Sequence, residues 1–312
     1  MLPFIVPGLV FAPTALAQQT AGPANPALPT EKVIVTAPKQ VREAVIRDFI
    51  KSYAAPSPMI DKIARWREPI CPAAVGLPPE YTKLVTERVK HVATMVDAPV
   101  DTREACRANI DIVFTPKPQA LLDDIRKRRP MFLGYHDVSQ AGRIATVSHP
   151  VQAWYTTQTA DQNGLAEIDD ETRNRGVDIM VPSFGHFYTL HLPNAREERG
   201  NLTHLSDGLH SEFFHVLVVI DMNGIVGHEI GALADYTAML ALSQTQVFDA
   251  CKELPSITNL MSPGCEASRM SNTLTDNDIA YLRALYRMNP ELTLDAQRGE
   301  IAGGMASTLA DH

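Results

Sequence analysis

The sequence predicts an α/β protein, a mixed sheet followed by a smaller helical C-terminal part. Three observations carry that reading. Residues 213–221, FFHVLVVID, are apolar on both faces, as a strand in the middle of a covered sheet requires. They pass through an Asp221-Met222-Asn223-Gly224 turn into an apolar stretch of helical length, residues 225–244. Upstream, period-2 alternation and 3.6-residue periodicity take turns along the chain, which is the pattern of helices packed on a sheet.

In chain order, residues 31–37 alternate as a short strand. Residues 40–53 place Val41, Ala44, Val45, Phe49 and Ile50 on one helical face. Pro78-Pro79 opens a backing helix over 80–96, with an apolar stripe of Leu84, Val85, Val89, Val92 and Met95. Residues 109–114, NIDIVF, read as a strand with Ile110, Ile112 and Phe114 on one face. A helix over 118–129 turns Leu121, Leu122 and Ile125 inward and ends on a Lys127-Arg128-Arg129 cluster suited to its negative terminus. Residues 151–157 and 185–192 read as strands, with 160–175 as a loop or weak hairpin between them. After the central strand and helix, Thr275 caps a closing helix over 275–288, with Asp276 and Asp278 in its first turn. Residues 299–312 read as a flexible tail.

The 312 residues are 45% apolar, enough for a sizeable core, and carry a net charge of −8. That balance excludes a nucleic-acid partner and disfavours an anionic membrane surface, since both need a basic face. Residues 1–17 are uncharged, mostly apolar and end in Ala15-Leu16-Ala17, a small-x-small cleavage pattern. They read as a signal peptide, followed by a disordered leader over 18–30 and one domain over 31–298. No stable membrane span is expected after cleavage, and the expected location is periplasmic or secreted. The four cysteines agree with export. Of the three connectivities, local pairing is favoured, Cys71 with Cys106 and Cys251 with Cys265.

The central helical stretch contains His228-Glu229, the first half of a zinc-hydrolase motif. In HExxH the two histidines stand one helical turn apart on one face, with the glutamate as general base. Here Ala232 occupies the second ligand position. Asp235 shares the face of His228, but seven residues rise roughly 10 Å, too far for two ligands at about 2 Å each from one zinc. His204 and His210 precede the central strand and are the remaining donors to consider. The simpler account of His228-Glu229, a polar pair in the first turns of the helix, carries more weight. Asp235-Tyr236 is the most notable polar pair of the apolar helix. Its expected partners are backbone groups, the following loop, Arg269 or Arg283. His215, on the face of Leu217 and Val219, reads as a satisfied core histidine. No GxSxG elbow, P-loop or GxGxxG is present.

The C-terminal third resembles the metzincin-like zinc metallopeptidases. The resemblance rests on His228-Glu229, on Met261 within SITNLMSP, and on residues 274–286, LTDNDIAYLRALY. It implies a zincin-like fold with Met261 as the methionine of the turn beneath the metal, His228 as a metal ligand and Glu229 as the base. The other two ligand positions hold Ala232 and Ala238, and the family's glycine position holds Asp235. The mature chain is also similar to a family of uncharacterised exported bacterial proteins that share RWxxPxCP, here residues 65–72, and ADYxAMLAL, here residues 234–242. The expectation is therefore an exported, non-catalytic protein on a degenerate metallopeptidase scaffold, without a cofactor, binding a peptide, a protein or an envelope component. Asp235, Tyr236 and Met261 are expected to be structural. The alternative is a zinc peptidase that uses His228 and Glu229 with non-standard further ligands.

Overall fold

The computed structural model describes residues 39–103, 105–134, 136, 138–169, 177–183, 186–192, 207–245 and 250–310. The expected signal peptide, leader and 31–37 strand lie outside the described residues, as does His204.

The fold is mixed α/β, as the sequence predicts. A five-stranded sheet has the order β1 (Pro72–Val75), β2 (Ile110–Thr115), β7 (His210–Asp221), β3 (Val151–Ala160), β4 (Ala166–Ile168). β1, β2 and β7 run parallel, while β3 pairs antiparallel to β7 and β4 antiparallel to β3. The apolar strand therefore lies in the middle. β5 (Val177–Ser183) and β6 (His186–Leu192) form a separate two-stranded ribbon. β1 and β5 are additions to the predicted elements, each too short or too mixed for its alternation to stand out, while β4 and the end of β3 form the weak hairpin that is one of the two readings of 160–175.

The helices are α1 (Lys39–Tyr53), α2 (Pro79–Met95), α3 (Pro118–Arg128), α4 (Ala141–Ile144), α5 (Ile230–Leu242), α6 (Asp276–Arg287) and α7 (Leu294–Ala310). One face of the sheet, with Val216, Val218 and Ile220, enters the main core shared with α1, α2, α5, α6 and α7. The opposite face, with Leu217, Val219 and Trp154, forms a smaller core under α3 and the Pro130–Leu133 turn of 3₁₀ helix. A bulge at Phe214 lets Phe213 join the same core as Val216. Thr157 pairs with Phe213 and Thr156 with His215, so the alternation of β7 shifts by one residue there.

Two expectations need correction. Helix α7 runs through the predicted flexible tail. Three glycines depress its propensity, but Ile301 and Met305 are buried and Gly304 lets α6 approach: a Cβ there would meet the Ala284 Cβ at 2.9 Å. Buried Gln297 ties α7 down, accepting from the Ile63 N–H at 2.8 Å and donating to the Pro290 carbonyl at 2.8 Å. The central helix also starts later and ends sooner than 225–244. Residues 222–227 form turns, Gly227 takes φ +92°, and α5 begins only at Ile230. At the other end, Ser243 is extended.

Both local disulfides form. Cys71–Cys106 has Cα atoms 6.0 Å apart and Cys251–Cys265 5.2 Å. Thr275 and Asp278 make a reciprocal capping box on α6. Among the described residues no helix is long and apolar enough to cross a membrane.

Candidate functional site

β7 delivers the chain to His228-Glu229, but not onto a helix. The His228 N–H closes a turn on the Ile225 carbonyl at 3.1 Å. Glu229 is the residue before the helix, in extended conformation, and its carbonyl accepts from Leu233 N–H at 3.1 Å. The pair thus precedes the helix instead of occupying its first turns. The one-turn spacing that makes HExxH a chelate is absent, because His228 lacks helical backbone. Glu229 is exposed and His228 half-buried. Ala232 and Ala238 are packed into the core at 3% and 0% exposure.

Asp235 is 1% exposed, and its carboxylate is fully engaged. Arg88 of α2 donates through Nε to Oδ1 and through Nη2 to Oδ2, the latter at 3.0 Å. The Leu274 N–H, just ahead of α6, donates to Oδ2 at 3.1 Å. One carboxylate therefore joins α2, α5 and the entry to α6. The hydrogen bond from Arg88 raises its guanidinium pKa above the ordinary value, outweighing partial burial. The expected partners are used elsewhere. Arg269 faces Glu266 at 3.9 Å, and Arg283 donates to the Met95 carbonyl at 3.2 Å. Sequence reasoning missed Arg88, although a signal existed. Arg88 lies three residues after Val85 and four before Val92, both buried, so it sits on the apolar stripe of α2. A cation on such a stripe calls for a buried anion.

The other end of α5 explains the RWxxPxCP segment. The last carbonyls of a helix lack intrahelical donors. Here Tyr155 Oη donates to Leu240 O at 3.0 Å, Trp66 Nε1 to Ala241 O at 2.8 Å and Tyr286 Oη to Leu242 O at 3.0 Å. Arg65 does the same for α6, donating to the carbonyls of Leu285 and Tyr286. Adjacent Arg65 and Trp66 thus cap two helices. Tyr236 is buried in the main core, and burial pushes its phenol pKa upward. Met261 ends a 3₁₀ helix, Ile257–Met261, half-buried against the main core.

The described residues around His228 do not fit zinc. Among the described residues no three His, Cys, Asp or Glu group together as a metal site. Asp235 has no oxygen to spare. His210 opens β7, and the strand's twelve residues at about 3.3 Å each carry the chain far from it before His228 is reached. His210 Nε2 is instead bonded to Glu212 Oε1 at 2.8 Å.

What the region does present is a groove of about 710 Å³ between α2 and the start of α5, with charged side chains in its lining. Glu80, Glu87, His91 and Glu229 line it, with the Arg88–Asp235 pair at its base. No protein-family model, curated protein or solved structure matches the chain.

Proposed function

We propose that this is an exported, non-catalytic protein with a binding or structural role in the cell envelope, on a scaffold related to zinc metallopeptidases that has lost its metal site. The observation that carries the reading is the engagement of Asp235. The carboxylate nearest in sequence to the missing ligands is spent on Arg88 and Leu274 and holds three elements together. A residue so committed stabilises the fold and leaves no donor for a metal. Export is supported by the two disulfides, which persist in oxidising compartments. The groove beside Glu229 offers a peptide, protein or envelope component a surface that mixes charged and apolar groups.

The test is elemental analysis of the purified protein, paired with a chelator-sensitive proteolysis assay. The expected result is no stoichiometric zinc and no proteolysis, with Glu229→Gln indistinguishable from the parent. Zinc at one equivalent that disappears in His228→Ala would overturn the reading.

A further inference from the structure

A second pocket, of about 560 Å³, opens on the other face of the sheet at the starts of β2 and β7. Its volume lies within the roughly 300–1,000 Å³ of small-ligand sites. Alternation with Leu217 and Val219 places His215 on this face, where its ring packs on Phe132 with centroids 4.4 Å apart. His215 Nε2 is bonded to Asp111 Oδ2 at 3.0 Å. The His215 side chain is 7% exposed, and its Nδ1 is buried with no hydrogen-bond partner among the described residues. The ring proton therefore belongs on Nε2, where it is donated to the carboxylate. A histidine that is half satisfied differs from the satisfied core histidine that the sequence suggests.

The exposure of the pair is inverted relative to a catalytic dyad. The Asp111 side chain is 44% exposed and the histidine lies behind it. His215 positions Asp111 through Oδ2, and Oδ1 of Asp111 carries no hydrogen bond among the described residues. Around it stand two further charges without an ion-pair partner among the described residues, Glu68 and Arg107. Asp101 and Arg103, also in the wall, neutralise each other through a bidentate contact. Phe132 and Phe214 supply apolar surface. The walls are fixed covalently: Glu68 lies three residues before Cys71 and Arg107 one residue after Cys106, and these cysteines are bridged.

We infer that this pocket binds a small zwitterion of dipeptide size, its ammonium on Asp111 and Glu68, its carboxylate on Arg107 and an apolar side chain against Phe132 and Phe214. Arg107 offers a planar fork that a carboxylate matches in geometry, and the two anions face a cation near aromatic rings. The pocket shares no residue with the groove beside Glu229, so its failure leaves the reading above untouched.

Isothermal titration calorimetry on the full oxidised chain tests this, with the dipeptide phenylalanyl-alanine as probe. Saturable one-to-one binding is expected. N-acetylating the dipeptide, or making Asp111→Asn, weakens binding by about ten-fold or more, the loss of one charge-assisted contact. Amidating its C-terminus, or making Arg107→Gln, does the same. The N-acetylated dipeptide binds the parent and Asp111→Asn equally. Absence of saturable heat at millimolar probe, or an affinity insensitive to both end modifications, overturns the inference. The modified dipeptides act on the unmutated protein, so the result stands even if a variant folds poorly.

Discussion

Removing Arg88 should cost more than removing Asp235, although both act in the same pair. In Arg88→Met the Asp235 side chain, 2% exposed, keeps only the Leu274 N–H. Stranding one partner of a buried pair costs about 3–5 kcal/mol. The Arg88 side chain is itself 35% exposed, so solvent already screens the contact and the low end, about 3 kcal/mol, applies. In Asp235→Asn the guanidinium can turn outward to water, and the cost is about 1.5 kcal/mol, one hydrogen bond to a charged group. Replacing both, Arg88→Met with Asp235→Leu, removes the desolvated charges together and should fall within about 1 kcal/mol of the parent. Urea unfolding of the four proteins reads these values as a double-mutant cycle. Thermal midpoints should follow, with about 6–12 °C lost in Arg88→Met at about 2–4 °C per kcal/mol. Equal costs for the two single variants, or a coupling below about 0.5 kcal/mol, would refute the reasoning.

Three further outcomes follow from other contacts. Trp66→Phe keeps most of the buried ring but strips the Ala241 carbonyl of its donor, and should cost about 2–3 kcal/mol in urea unfolding; a cost below about 0.5 kcal/mol would mean that water replaces the indole. Opening the Cys251–Cys265 loop, with a separation of 14 residues, should cost about 3 kcal/mol, and opening Cys71–Cys106, with 35, about 4 kcal/mol; unfolding of Cys-to-Ser pairs measures both, and the reverse ranking would show that loop length does not govern them. Acid should weaken the fold between pH 4 and 2. The Arg103 fork holds the Asp101 carboxyl at about 2. Burial works to raise Glu212, but the bonds from His210 and Gln158 prevail and hold it below its ordinary value. Depressed folded values give stability that is present above about pH 4 and lost as these groups protonate. A urea midpoint at pH 3 equal to that at pH 6 would remove these contacts from the account.

How much of this was legible in the sequence depends on the range of the interaction. The middle strand could be read because both of its faces are apolar, and α2 and α6 because their prolines, caps and stripes lie within one or two turns of each other. The disulfide pairing agrees with the local spacing of the cysteines. The candidate site was legible only as a list of residues. His228, Glu229 and Asp235 stood out, but their geometry turns on where α5 begins, and the Gly227 turn moves that start beyond His228.

The sequence by itself determined the fold class, the middle strand and the bounds of the capped helices within a residue or two, and it favoured the cysteine pairing that the structure shows. Periodicity, capping and short loop closure are local, and a single strand of text carries them. Only the tertiary structure decided that Asp235 belongs to Arg88, 147 residues away, that Arg65 and Trp66 close the ends of two helices, and that a glycine-rich tail becomes a helix against α6. Each of these is a buried polar group or close backbone approach whose partner is chosen by packing. Until the sheet and helices are assembled, every such partner is one charge or carbonyl among many.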